Sequence, residues 1–271
     1  TIITMKNKAR LYLQGGFGNV LFQLIAFLHL KEKHENCVIV TILTEKNVLT
    51  RILGWKIHDE AYKILLKELN INVEFPSVIQ TLRELIFGKL SKSLGKSVQG
   101  IYFYNDRDND LSKHKVHFGY YQSKSFLLEN KEHIAKIGGI LNLIYKVNSN
   151  KLKTDIVVHI RLGDSGWAKK NEYYYKEVIK ILNHKKEPFT VITDSIQDAK
   201  LLFKGFKNTY FESNSVYEDF GLMLHSKTIF IAPSTFSYWA VLSSKSIETI
   251  YMPEMIYSKF GFPFDKKINL I

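Results

Sequence analysis

The sequence predicts an α/β protein built on mainly parallel sheets. Short apolar runs rich in β-branched residues, such as Ile156 to Val158, are typical of strands buried inside a parallel sheet. In the second half of the chain such runs alternate with amphipathic helical segments, which is the pattern of βαβ units. The chain has 271 residues, a length that allows two domains with a core in each.

The first predicted unit is a strand over residues 9–14, a glycine loop over 15–19 and a helix after it. Glycine lets the loop backbone approach a ligand, and the helix N-terminus that follows favours anions. Gly16 and Gly18 match two positions of the dinucleotide-binding fingerprint, but Leu21 replaces its third glycine. The loop therefore indicates either a ligand-binding turn or a tight strand-to-helix turn without a ligand.

The segments that follow are less informative. A second strand is predicted over 37–43, and residues 80–97 predict a peripheral, solvated helix. Asp106 and Asp108 have a spacing that could hold a divalent cation such as Mn²⁺. Arg107 lies between them and would compete with a cation, so we favour a polar turn there.

Residues 117–126 form an aromatic and polar cluster after another short strand. Tyr120 and Tyr121 could stack on a carbohydrate, and Gln122 beside them could form hydrogen bonds to its hydroxyl groups. The alternative is a half-buried strand and turn in which the rings pack in the core.

A polar stretch, KVNSNKLK over 146–153, follows a helix predicted from about 126 to 146. Polar, asparagine-containing and serine-containing segments between periodic runs are typical of loops. We therefore predict an N-terminal domain of residues 1–150 and a C-terminal domain of residues 151–271.

Three predicted strands of the second half end in polar residues, and a doubly wound sheet places such ends along one crevice. The residues are His159 and Arg161 on the first strand, Asp194 and Ser195 on the second, and Ser234, Thr235 and Ser237 on the third. The last group also starts a helix, where hydroxyls and backbone N–H groups form an anion site. Asp194, and Asp219 at another helix start, could accept hydrogen bonds from a base or a ribose.

Arg161 is distinguished by composition, because only five of the 38 Lys and Arg residues are Arg. A chain that otherwise uses Lys is expected to keep Arg where a rigid, bidentate donor is needed, as for phosphate oxygens. The alternative is a surface ion pair between Arg161 and Asp164.

The formal net charge of +12 favours anionic partners, but the lysines are scattered and no nucleic-acid recognition motif is apparent. A single cysteine, Cys37, excludes internal disulfides and a cysteine-based zinc cluster. The longest apolar run, residues 20–30, is too short to span a bilayer.

Six motifs occur together in order: GGFGN at 15–19, HFGYYQS at 117–123, HIRLGD at 159–164, FTVITDS at 189–195, YEDFGLM at 217–223 and IAPSTFSYWA at 231–240. With these motifs the chain resembles glycosyltransferase family 11, the α-1,2-fucosyltransferases, in its bacterial form. The resemblance implies a GT-B-like architecture of two Rossmann-like domains facing a cleft. It also implies metal-independent, inverting transfer of L-fucose from GDP-β-L-fucose to a galactoside hydroxyl.

The resemblance also implies roles for individual residues. Arg161 would hold the β-phosphate, and Asn19 and Asp164 would act near the reacting centre. The other donor-binding residues would be Gly16, Gly18, His159, Asp194, Ser195, Asp219, Ser234, Thr235, Phe236 and Ser237. Tyr120, Tyr121 and Gln122 would bind the acceptor. The chain departs from the family's usual residues at Val20 and Leu162.

The catalytic base would accept a proton from the acceptor hydroxyl. Asp164 and Glu172 are both conceivable candidates for this role.

The expected partners are a GDP-sugar donor and a galactose-terminated oligosaccharide, including a lipid-linked one, with neither a metal nor a nucleic acid. We expect a cytoplasmic enzyme whose positive charge holds it at the inner face of an anionic membrane. The alternatives are a transferase for another GDP-deoxysugar such as colitose, a Mn²⁺-dependent GT-A enzyme that uses Asp106 and Asp108, and a basic nucleic-acid-binding protein.

Overall fold

The structure is a computed structural model of the chain. It describes residues 8–34, 36–40, 59–74, 77–104, 111–146, 151–163 and 171–271. The chain forms two compact units, Thr1–Ile137 and Gly138–Ile271. The division falls inside one helix, upstream of the predicted linker, of which residues 147–150 lie outside the described residues.

The first unit has a parallel sheet with helices around it. Its strands are β1 (Ala9–Tyr12), β2 (Cys37–Val40), β3 (Val73–Glu74), β4 (Ile101–Phe103) and β5 (Val116–Phe118). Its helices are α1 (Phe17–Lys33), α2 (Asp59–Glu68), α3 (Val78–Leu94), α4 (Lys124–Glu129) and the first half of α5 (Lys131–Ile144). A 3-10 turn covers Leu111–Lys113.

The sheet order in the first unit is β3-β2-β1-β5-β4, and every pairing is parallel. The chain leaves β1 toward β2 and β3, and it later returns to place β5 on the other side of β1. A topological switch point therefore lies between β1 and β5, which is where open α/β sheets bind ligands. The glycine loop follows β1, and residues 119–122 follow β5.

The second unit contains a larger parallel sheet. Its strands are β6 (Ile156–Ile160), β7 (Phe189–Thr193), β8 (Thr209–Glu212), β9 (Thr228–Phe230), β10 (Thr249–Met252) and β11 (Lys267–Leu270). Its helices, after the second half of α5, are α6 (Glu172–Lys185), α7 (Ile196–Leu202), α8 (Val216–His225), α9 (Thr235–Ser243) and α10 (Glu254–Phe260).

The sheet order in the second unit is β11-β10-β9-β6-β7-β8, again with every pairing parallel. This is the classical order of the dinucleotide-binding fold, with its switch point between β6 and β9. Strands β6 and β7 are buried along their whole length, as expected for central strands covered on both faces. The predicted α/β class with two parallel sheets is confirmed.

Two helices differ from their predictions. The helix predicted over 126–146 is broken at Asn130, whose side-chain amide donates to the Phe126 carbonyl at 2.8 Å and so competes with the helical hydrogen bonds. The segment predicted as a solvated helix over 80–97 is the helix α3, but its exposed face carries large apolar side chains.

Among the described residues, no helix is long and apolar enough to cross a membrane.

Candidate functional site

The end of β6 is held by side chains from two neighbouring elements. The Tyr175 hydroxyl, on α6, donates to the carbonyl of Arg161 at 3.1 Å and accepts from its N–H at 3.3 Å. The β6–β7 register pairs Ile160 with Thr193, so the residues after each strand are neighbours. This juxtaposition fixes the backbone from which the Arg161 side chain extends.

Asp194 completes that support. Its Oδ1 atom accepts from the N–H groups of Leu162 and Gly163 at 2.7 and 3.0 Å. A Cβ atom at Gly163 would lie only 3.0 Å from Asp194 Oδ2, so glycine lets the loop approach the carboxylate. These hydrogen bonds let Asp194 position the loop after β6. Its predicted hydrogen bond to a base or a ribose stays a prediction.

His159 is buried on β6, and its Nδ1 atom has no hydrogen-bond partner among the described residues. Its ring lies edge-on to Phe236 of α9, with 5.8 Å between the ring centroids. Burial lowers the pKa of His159 to about 4; the Asp194 charge opposes this shift and the Arg161 charge adds to it. The imidazole is therefore neutral at neutral pH, and it can offer a hydrogen bond to a ligand without carrying a charge.

The Ser234-to-Ser237 turn lies at the end of β9, on the other side of the switch point from β7. Ser234 is the N-cap of α9 and accepts from the Phe236 N–H at 3.2 Å. The Ser237 hydroxyl is fully buried and donates to the Ala232 carbonyl at 3.3 Å. Both hydroxyls thus form hydrogen bonds within the turn. The first turn of α9 contains no acidic residue, and the positive end of a helix favours an anion.

Two predicted donor-binding residues are engaged elsewhere in local hydrogen bonds. Asp219 accepts from the backbone and side-chain amides of Asn214 at 3.2 and 3.1 Å, and burial raises its pKa to about 6 despite those hydrogen bonds. The Ser195 hydroxyl donates to Asp198 Oδ2 at 2.6 Å. Asp219 thereby connects the first turn of α8 to a residue before its N-cap, whereas Ser195 is the N-cap of α7 without a side-chain hydrogen bond to the helix backbone.

The first unit has a second polar cluster at its own switch point. Gln122 Nε2 donates to Asn19 Oδ1 at 2.8 Å, and this contact joins the end of β5 to the first turn of α1. Gly15 has φ +85, and a Cβ atom there would lie 2.6 Å from Asn19 Nδ2 and 3.2 Å from the Tyr120 ring. The glycine loop therefore brings Asn19, Tyr120 and Gln122 together. Residues 15–19 and 117–123 were predicted as separate motifs, and their contact was not predicted. Gly16 caps α1, and Gly18 is buried in its first turn.

Tyr121 is placed differently from its predicted role in binding an acceptor. Its side chain is fully buried, its φ is +54, and its ring packs against Tyr104 and Phe126. This ring has the core-packing role that was the alternative prediction. Tyr120, by contrast, is 40% exposed.

Two supporting residues were missed by the sequence predictions. Gln23 is fully buried in α1, accepts from the Gln14 N–H and donates to the carbonyls of Gln14 and Gly119, which links the ends of β1 and β5. A polar residue within the apolar face of a helix is a usable signal for such a link. Tyr175 gives no comparable signal, because aromatic residues are common on buried helix faces.

Several predicted residues lie outside the described part of the chain, namely Asp106, Arg107, Asp108 and Asp164. Within the described residues, His29, Glu32 and His133 bring ligand atoms within 4.8 Å of one another and could hold a metal ion. His133 Nε2 lies 3.4 Å from Glu32 Oε1, and His29 Nδ1 lies 3.0 Å from Asn130 Oδ1. These two contacts join α1 to Asn130 and to the first turn of α5.

The chain is similar to several solved glycosyltransferase structures. POFUT1 in complex with GDP matches with a TM-score of 0.43 and 11% identity, over 91% of this chain and 98% of that chain. The fucosyltransferase NodZ from Bradyrhizobium matches with a TM-score of 0.43 and 15% identity, over 89% and 94%. The E. coli heptosyltransferase WaaC with ADP matches with a TM-score of 0.49 and 12% identity, over 97% and 93%.

No family model and no curated protein matches the chain. Because the TM-scores of the solved structures lie below 0.5, the assignment of the fold rests on the strand orders described above.

Proposed function

We propose that this chain is a glycosyltransferase that uses a GDP-sugar, and specifically that it transfers L-fucose from GDP-β-L-fucose to a galactoside hydroxyl in α-1,2 linkage. One observation carries the donor half of the proposal. The strand order of the second unit brings Arg161, the buried Nδ1 atom of His159 and the α9 N-terminus to one switch point. A cation, a neutral imidazole and a helix N-terminus together suit a nucleoside diphosphate.

The choice of fucose and of the α-1,2 linkage depends on the resemblance of the six motifs to family 11. In this assignment Arg161 stabilises the charge that develops on the leaving diphosphate, the kind of contribution that is usually largest in such reactions. Tyr120, Gln122 and Asn19 form the acceptor side on the first unit.

The reaction inverts the anomeric carbon. The acceptor oxygen forms a bond to that carbon, the bond to the β-phosphate oxygen breaks, and the hydroxyl proton leaves with a base. Glu172 is a poor candidate base, because its hydrogen bond to Lys176 at 2.7 Å and the charge of that lysine lower its pKa. We therefore assign the proton to the departing diphosphate, and Asp164 stays the alternative.

The test of the donor site is calorimetric titration with GDP. Arg161→Ala is expected to weaken GDP binding about tenfold or more, because it removes a charge-assisted hydrogen-bond pair. It should also lower kcat about 100-fold, as for other contacts to developing charge. Arg161→Lys keeps the charge but loses the bidentate geometry. Its GDP affinity and its kcat should therefore lie between those of Arg161→Ala and those of the unaltered chain.

Arg83→Ala, on the exposed face of α3, is the matched control and should leave GDP affinity unchanged. Unaltered GDP binding in Arg161→Ala would contradict the assignment of the site. Transfer assays with GDP-fucose, GDP-colitose and a panel of β-galactosides, with product linkage read by NMR, decide between the proposed activity and the rival donor. Activity that EDTA abolishes and Mn²⁺ restores would contradict metal independence.

A further inference from the structure

Helix α3 exposes a continuous apolar stripe along one face. Its five side chains follow one another at intervals of three or four residues, which places them on one side of the helix. They are Ile79, Leu82, Ile86, Leu90 and Leu94, with exposed fractions of 82, 43, 63, 43 and 52%. An ordinary surface helix turns such a stripe toward the core.

The opposite face of α3 is buried, although it carries small and polar residues. Thr81, Glu84 and Ser91 are at most 4% exposed, and a Cβ atom at Gly88 would lie 3.0 Å from the Phe118 ring of β5. Glu84 bonds to Arg10 and Tyr12 of β1, and Ser91 Oγ accepts from the N–H of Phe103 on β4 at 3.0 Å. These contacts anchor α3 to its sheet, so the apolar stripe is not needed for packing within the unit.

The exposed charged side chains that flank the stripe on α3 and directly after it all have one sign. Arg83 and Lys89 lie on α3, and Lys96 follows the helix; all three are exposed. The only acidic residue between 77 and 99 is Glu84, which is buried against Arg10. A basic apolar surface of this kind complements an anionic one.

We propose that α3 is the surface by which this chain binds an anionic lipid bilayer. The helix would lie in the plane of the membrane, with its aliphatic stripe at the boundary between headgroups and acyl chains and its basic residues among the phosphates. Lipid suits this face better than a protein partner does, because the stripe lacks the Trp and Tyr anchors that dominate protein interfaces. The proposal is independent of the transfer reaction, since it concerns membrane binding alone.

The test is co-sedimentation of the full chain with vesicles of phosphatidylcholine alone or mixed with phosphatidylglycerol. The unaltered chain should bind the anionic vesicles, and more weakly at high salt. The triple variant Ile79→Ser, Ile86→Ser, Leu90→Ser should lose at least about tenfold in partitioning, because it removes three of the five inserted side chains. The triple variant Leu143→Ser, Leu201→Ser, Met255→Ser is the matched control, since all three residues are exposed on other helices.

A second pair of variants tests the charges. Arg83→Gln, Lys89→Gln, Lys96→Gln should weaken binding to anionic vesicles more than Lys200→Gln, Lys204→Gln, Lys245→Gln does, although both triple variants remove the same net charge. Equal effects of these two sets, or equal effects of the stripe variant and its control, would overturn the proposal. The proposal would also be overturned if the unaltered chain formed a dimer that did not bind vesicles and the stripe variant were monomeric. A second copy of the chain would then cover the stripe. Circular dichroism of each variant establishes that it is folded before its binding is compared.

Discussion

Gly15 and Gly16 are adjacent, but they differ in backbone conformation, and we expect them to differ in how alanine substitution affects the stability of the first unit. Gly15 has φ +85 and no room for a Cβ atom beside Asn19, whereas Gly16 has φ −75 and open space around it. We expect Gly15→Ala to lower the free energy of unfolding by about 1–2 kcal/mol from the left-handed backbone alone. The added Cβ atom should also displace the Asn19 side chain from its hydrogen bond with Gln122. Urea denaturation of the variant and the unaltered chain measures the loss in the free energy of unfolding.

Gly16→Ala is the control for stability, because an alanine at this helix cap adds no contact. A loss in Gly16→Ala as large as the loss in Gly15→Ala would show that the conformation at Gly15 is not the cause.

His159 makes stability depend on pH in a defined direction. Burial lowers its folded pKa to about 4, below the ordinary 6.5, so between these values the unfolded chain binds the extra proton. The contribution of the neutral imidazole is present above pH 6.5 and is lost as the pH falls toward 4. The slope approaches about 1.4 kcal/mol per pH unit where the two states differ by one proton.

The measurement is urea denaturation of the unaltered chain and of His159→Asn between pH 7 and pH 4. The variant should have a flatter pH profile, whereas His184→Asn, at an exposed position on α6, should not. Asp219, whose pKa is raised to about 6, changes the free energy of unfolding in the opposite direction, because it favours the folded state as the pH falls. The role of His159 is therefore read from the difference between the two pH profiles. Parallel profiles for the unaltered chain and His159→Asn would contradict this role of burial.

Single residues were predictable where their chemistry was unusual for the chain. Arg161 stood out because arginine is rare here, and His159 because it ends an apolar strand. Tyr120 and Tyr121 could not be told apart, because adjacent identical residues carry no signal for which ring turns inward. The structure separates them through the left-handed backbone at Tyr121.

At the scale of elements, α3 is held to its sheet by a buried charge. Glu84 accepts from Arg10 and from the Tyr12 hydroxyl, and burial together with Glu84 raises the pKa of Tyr12 above its ordinary value, so the hydroxyl keeps its proton. We expect Glu84→Ala to lower the free energy of unfolding by about 3 kcal/mol, because it leaves the other members of the cluster unpaired.

Thermal or urea denaturation measures this loss, and Glu248→Ala, at an exposed position, is the control. Equal stabilities of the two variants would contradict the anchoring role of Glu84.

Elements were predictable where hydrophobic periodicity and burial agree. Strands β6 and β7 are uniformly apolar and uniformly buried, so their positions were evident. In α3 periodicity and burial disagree, because the periodic apolar residues face outward and Thr81, Glu84 and Ser91 face the sheet. Sequence periodicity identifies a helix but not which of its faces is covered. The predicted peripheral helix is present and largely exposed, but the apolar character of its exposed face was not predicted.

At the scale of the whole molecule, the alternation of strands and helices predicts parallel sheets but not the order of their strands. That order depends on crossovers between residues distant in the chain, such as the pairing of β6 with β9, whose first residues are Ile156 and Thr228. The positions of the switch points therefore emerge only from the structure. The polar strand ends of the second half were predicted from the residues to share one crevice, but the strand that lies beside β6 at the switch point was not.

The break between the two units, inside α5, has a practical consequence for dividing the chain. A Cβ atom at Gly138 would lie 3.2 Å from the Ser243 backbone, and Asn142 donates to the Ser243 carbonyl at 2.5 Å. Tyr145, just after the helix, packs its ring on Tyr217 with 4.5 Å between centroids. A recombinant piece that begins at residue 151 discards all of these contacts. It should melt at a lower temperature than one that begins at residue 138. Calorimetry of the two pieces would measure how much the second half of α5 stabilises the second unit.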